Sequence, residues 1–107
     1  MATVTVDRSN LGGTVVANVG DTIEIRLAEN PTTGFRWAVE SVDRRLALEH
    51  DDYAPAADGG VGGGGQRLLR YKANEAGSVP LQLKLQRAWE GDASTSDRFA
   101  VTVDIRP

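Results

Sequence analysis

Cysteine is missing altogether from the 107 residues, and histidine and methionine occur once each. Without cysteine there is no disulfide framework, no thiolate metal site and no thiol nucleophile. That absence suits oxidising and reducing compartments equally. A single histidine, His50, nearly excludes nucleophilic triads. Long hydrophobic runs are also missing: none approaches the ~20 residues of a membrane span. The opening Met1-Ala2-Thr3-Val4-Thr5-Val6 alternates like a strand and lacks the apolar segment of a signal peptide. The expectation is therefore a cytoplasmic protein, or a periplasmic or secreted one if a signal peptide has been removed and Met1 is not native. Positive charge is not in excess either. Twelve Lys and Arg face 15 Asp and Glu, for a net charge of -3, and only Arg44-Arg45 are adjacent. Nothing offsets the cost of approaching phosphates, so neither nucleic acid nor membrane is expected as a partner. No segment of ten or more residues shows helical periodicity. There is no N-glycosylation acceptor, since Asn30 is followed by Pro31.

What is present is period-two alternation. Ile23, Ile25 and Leu27 alternate with Thr22, Glu24 and Arg26; Phe35, Trp37 and Val39 alternate with Arg36, Ala38 and Glu40. Val79, Leu81, Leu83 and Leu85 repeat the pattern, as do Phe99, Val101, Val103 and Ile105. Each run reads as a strand with one face on a core and one in water. Weaker strands are read at Thr3 to Asp7, Thr14 to Val19, Leu46 to Glu49 and Arg67 to Ala73. Turn signals separate them at Leu11-Gly12-Gly13, Gly20-Asp21 and Asn74-Glu75-Ala76-Gly77. Seven to eight short strands in one domain spanning residues 1–107 point to an all-β, antiparallel β-sandwich of immunoglobulin-like architecture. Pro80 is expected early in its strand or at an edge, where its missing N–H is tolerated. The longest irregular stretch is read from His50 to Gln66.

Three segments between strands carry residues better suited to loops than to cores. In Asn30-Pro31-Thr32-Thr33-Gly34-Phe35, Asn30 favours an Asx-turn, Pro31 stiffens the entry and Gly34 permits positive φ. That leaves Thr32 and Thr33 at a rigid, uncharged tip that loses little entropy on entering a partner's cleft; the plainer reading is an ordinary turn. Gly62-Gly63-Gly64-Gly65 exposes main-chain donors and acceptors for pairing with an extended cleft, or is simply a flexible linker. With Gly60 it matches G-x-G-x-x-G, but no following helix, no βαβ unit and no Lys-Ser/Thr supports a phosphate site. In Arg87-Ala88-Trp89-Glu90, Trp89 falls past the end of the alternation. It is either an exposed anchor for binding or a ring folded over the sandwich end. Trp37 keeps the inward phase of its strand and is read as core. His50-Asp51-Asp52 is the one dense titratable cluster, and consecutive strand residues point opposite ways. It is read as a solvated loop end rather than a metal or catalytic site, and no cofactor or metal is expected.

Taken together the three segments resemble the chagasin family, protein inhibitors of papain-like cysteine proteases. The family's motifs run Asn-Pro-Thr-Thr-Gly-aromatic-x-Trp, Gly-Gly-x-Gly and Arg-Pro-Trp. Here they read Asn30 to Trp37, Gly62 to Gly65, and Arg87-Ala88-Trp89, with Ala88 where proline is usual. The resemblance spans about Val16 to Ile105. It implies an immunoglobulin-like sandwich presenting the three loops side by side at one end, as a wedge across the protease cleft. Thr32, Thr33 and Gly34 would then sit over the catalytic cysteine and histidine of the protease. Gly62, Gly63, Gly64 and Gly65 would line one side of the cleft through main-chain hydrogen bonds, and Arg87 and Trp89 would pack on the other. It further implies tight, reversible, competitive inhibition by a protein that is not an enzyme; a monomer is expected. The competing readings are an immunoglobulin-like adhesion or ligand-binding module working through a sheet face, and an enzyme built on His50.

Overall fold

The computed structural model describes residues 2–30, 34–40, 43–55, 65–87 and 97–107. Eight strands carry the fold: β1 (Thr3–Val6), β2 (Thr14–Asn18), β3 (Thr22–Glu29), β4 (Phe35–Val39), β5 (Leu46–Pro55), β6 (Gly65–Ala73), β7 (Gly77–Arg87) and β8 (Asp97–Arg106). They form two four-stranded sheets, ordered β1-β3-β6-β5 and β2-β8-β7-β4. The only helical turn among the described residues is the 3-10 turn Arg8–Asn10. It is opened by Asp7, whose side chain accepts from the Ser9 N–H.

The alternation is what builds the sandwich. Ile23, Ile25 and Leu27 of β3 and Leu69, Tyr71 and Ala73 of β6 face Val79, Leu81 and Leu83 of β7 and Phe99, Val101, Val103 and Ile105 of β8. All of these are buried. Trp37 lies with them, as its phase required.

Most pairings are antiparallel, but the two first strands are not. β1 lies parallel to β3 and β2 parallel to β8, each on a sheet edge. The reason is that the turn at 7–13 carries the chain from one sheet to the other instead of closing a hairpin. The N–H of Gly12 then bonds Ala100 O at 2.7 Å. Gly77 plays the matching part between β6 and β7, which its tight turn places in different sheets. Gly77 has φ 145°, open to glycine and rarely to other residues.

Three expectations need correction. β5 does not end at Glu49 but continues through His50 to Pro55, and Gly65 and Gln66 already belong to β6. A bulge between Leu48 and His50 hides this continuation, because one extra residue resets the alternation. The Thr3 and Thr14 strands each stop one residue sooner than read. Glu24, assigned to the wet face of β3, is 5% exposed. Arg26 and Arg70 close over it, at 3.1 Å each.

Pro80 sits fourth in β7, paired with Thr102. The N–H of Thr102 points away to Gly13 O, so Pro80 directs its own nitrogen away from β8 too. On that other side the β4 ladder stops at Glu40, which bonds Gln82 O. The missing donor therefore falls beyond the end of β4.

Tyr71 is buried against the core with a hydroxyl that has no hydrogen-bond partner among the described residues. Burial, with the charge of Asp51 as a smaller cause, pushes its pKa up to about 12. Such an orphaned hydroxyl costs ~1–3 kcal/mol of desolvation. Tyr71→Phe should raise the melting temperature by several degrees, ~4–8 °C per kcal/mol for a domain near this size. A lower melting temperature on calorimetry would show that the hydroxyl contributes a bond.

Candidate functional site

Successive strands reverse direction, and this sets the ends of six of them together. In one sheet Glu29, at the end of β3, and Pro55, at the end of β5, both pair with Gly65, at the start of β6. In the other, Phe35 at the start of β4 pairs with Arg87 at the end of β7, and Leu85 pairs with Asp97 at the start of β8. β3, which ends at Glu29, and β4, which begins at Phe35, lie in different sheets. The entry and exit of all three loop segments therefore stand at one end of the sandwich.

Of the residues singled out in the sequence, Asn30, Gly34, Phe35, Gly65 and Arg87 are brought to this end. Pro31, Thr32, Thr33, Gly62, Gly63, Gly64, Ala88 and Trp89 lie outside the described residues. Gly34 has φ 78°, the left-handed conformation expected of it. The Arg87 guanidinium lies 4.7 Å from the centre of the Phe35 ring, a cation–π contact joining the first and third loops at their roots.

A set of bonds beneath the loops was not legible from motifs. The Glu29 carboxylate receives Arg67 Nη2 at 2.6 Å and Nε at 3.2 Å, and also the backbone N–H of Trp37 at 2.9 Å. Arg67 Nη1 reaches Asp51 at 3.0 Å. The Trp37 indole N–H donates to Ala28 O at 2.9 Å. The Glu29 and Arg67 side chains are 2% and 8% exposed. The bond to Glu29 raises the Arg67 pKa above its ordinary value against the opposing effect of burial. On the far side, Arg8 meets Asp97 at 2.6 Å, holding the root of β8.

One signal for this set was available. Glu29 continues the inward phase of Ile23, Ile25 and Leu27, and Arg67 that of Leu69, Tyr71 and Ala73. Opposite charges at core-phase positions of two strands are expected to pair. Asp51, read as part of a solvated loop end, is instead the second carboxylate on Arg67. His50 and Asp52 are exposed on either side of it. Among the described residues no three His, Asp or Glu side chains converge as metal ligands. What this end does physically is hold the strand ends that flank the three segments next to one another.

A family model described as the chagasin family peptidase inhibitors matches residues 16–103. Chagasin of Trypanosoma cruzi is 32% identical over 101 residues, covering 90% of this chain and 92% of that protein. The crystal structure of EhICP2, a cysteine protease inhibitor from Entamoeba histolytica, superposes with a TM-score of 0.86 at 24% identity. The match covers 99% of this chain and 97% of that one. PbICP-C, solved in complex with falcipain-2, shares the fold with a TM-score of 0.69 at 13% identity, covering 97% and 89%.

Proposed function

The chain belongs to the chagasin family of peptidase inhibitors, and from that premise we propose that it closes the active-site cleft of a papain-like cysteine protease with three adjacent loops. It is an inhibitor and not an enzyme. The observation that carries the proposal is the convergence of the three loop roots at one end of the sandwich. A wedge needs its three tips held side by side before it meets the cleft, because ordering them on contact would cost binding energy.

In this reading Thr32, Thr33 and Gly34 sit over the catalytic cysteine and histidine, with Asn30, Pro31 and Phe35 shaping the turn. Gly34, with its positive φ, leads directly into β4 at Phe35. Gly62 to Gly65 pair through their main chain with one wall of the cleft, and β6 begins at Gly65 as its anchor. Trp89 packs on the opposite wall. Arg87 supports that third loop from its root, through the Phe35 ring.

The test is titration of the purified domain against papain with a small fluorogenic peptide substrate. Competitive inhibition at submicromolar concentration, with the inhibitor uncleaved, is the expected result. No inhibition of papain or of a panel of its relatives would overturn the reading and leave a sandwich-type binding module.

Ala88 allows a further prediction. Arg87, the residue before it, is in extended strand, the conformation favoured before a proline. Ala88→Pro should tighten inhibition by ~0.4–1 kcal/mol through loss of loop entropy in the free protein. An unchanged or weaker inhibition constant would show that position 88 needs another conformation.

A further inference from the structure

We propose that the Glu29–Arg67–Asp51 cluster is a positioning clamp that sets this protein's affinity for its protease, by fixing where the first and second loops leave the sandwich. The inference rests on the cleft-blocking reading above. Its geometry comes from the described residues alone.

Glu29 is the last residue of β3, and the first loop begins immediately after it. Arg67 is the third residue of β6, and the glycine loop ends where β6 begins. Asp51 sits on β5, the strand that runs into the glycine loop from the other side. One guanidinium therefore ties the exit of β3 and the middle of β5 to the entry of β6. The same Glu29 carboxylate takes the backbone N–H of Trp37 on β4, at 2.9 Å, in the opposite sheet. Four strands from both sheets meet at two side chains. Glu29, Gly34, Phe35 and Arg67 line one small pocket of about 170 Å³ at the base of the first loop. The clamp thus lies against Gly34 and Phe35, where the first loop returns to β4.

Stability alone is a poor account of this arrangement. A buried ion pair commonly gains nothing over a well-packed apolar pair, since desolvation offsets the attraction. What it adds is direction. A planar guanidinium bonded twice to one carboxylate and once to another accepts very little rotation. An apolar pair of equal volume would hold the strands together and leave their ends free to shift. The Asp51 leg is 43% exposed and is the weakest of the three, so it can be removed with little risk to the fold.

The experiment compares inhibition constants against papain for the wild type, Glu29→Gln, Arg67→Met, Arg67→Lys and Asp51→Asn. Val103→Ala, in the core and away from the loops, is the control. The expected result is a rise of about tenfold or more for Glu29→Gln and Arg67→Met, since each loosens loops that must be ordered on binding. Arg67→Lys, which keeps the charge but not the fork, falls between. Val103→Ala should stay within about twofold of wild type, although a deleted core methyl pair lowers its melting temperature. Should Arg67→Met fail to fold, Arg67→Lys and Asp51→Asn carry the same comparison. Inhibition constants that follow melting temperature across all variants, control included, would overturn the clamp.

Amide hydrogen exchange of the free protein supplies a readout independent of any protease. Exchange at Asn30, Gly34 and Gly65 should quicken in Arg67→Met relative to Val103→Ala. If the wild type inhibits no papain-like protease, the cleft reading falls and exchange alone decides the clamp. Equal exchange in the two variants would then reject it.

Discussion

Trp89→Ala should raise the inhibition constant against papain about 30-fold or more and leave thermal unfolding nearly unchanged. The magnitude is the ~2 kcal/mol typical of a good interface anchor, at 1.4 kcal/mol per tenfold. Trp89 follows the end of β7 at Arg87 and is flanked by Glu90, Gly91 and Asp92. Its neighbours in sequence are polar, and it lies past the end of the alternation of β7. Thr33→Ala should move in the same direction by a smaller amount, since a Thr at a tip contributes a methyl and one hydroxyl. The measurement is a pair of numbers for each variant, an inhibition constant and a melting temperature. If both worsen together for Trp89→Ala, the indole is part of the fold, covering the end of the sandwich. The third loop would then bind through Arg87 and its backbone instead.

The second large effect is on stability. Phe99 is fully buried and is the largest of the fully buried side chains among the described residues. It lies in β8, which has β7 on one side and β2 on the other, and it pairs with Leu83. Truncation to alanine in such a place costs about 3–5 kcal/mol, part of it transfer and part of it the cavity left behind. Domains of this kind are stable by ~5–15 kcal/mol in total, so Phe99→Ala should use up a large fraction of that margin. Urea unfolding should show the midpoint falling with little change in slope. A loss under ~1 kcal/mol would mean that the sheets close over the gap, which an interior at normal packing density does not allow. The folded fraction should still inhibit, because Phe99 is a core residue of β8 and not one of the proposed binding residues. These two variants should therefore separate cleanly: one loses binding and keeps its fold, the other loses stability and keeps its site.

The Arg67 comparison falls between these extremes. It asks whether a buried group that touches no protease still governs how tightly one is held.

Much of the fold is legible in the sequence. The alternations beginning at Ile23, Phe35, Val79 and Phe99 became β3, β4, β7 and β8 with the expected faces inward. This works because a strand's side-chain period is a property of its own backbone and needs no partner to be read. Gly34 behaved likewise: its φ of 78° is a local demand that glycine meets without strain. Less visible were features that depend on a partner. The bulge at Leu48 to His50 broke the pattern of β5 and made six strand residues, His50 to Pro55, look like loop. The burial of Glu24 depends on Arg26 and Arg70, and Arg70 is 46 residues away.

The sequence by itself determined the all-β class, the inward phase of the main strands and the three motif segments that mark the family. Each of these is written in residues close together along the chain. Only the tertiary structure decided that β1 and β2 pair in parallel, that β5 runs on to Pro55, and that Glu29 and Arg67 meet beneath the loops. Those outcomes arise between residues far apart in sequence, 38 positions in the case of Glu29 and Arg67. A charged residue at a core-phase position says only that it must find a partner, and which partner it finds depends on how the two sheets pack.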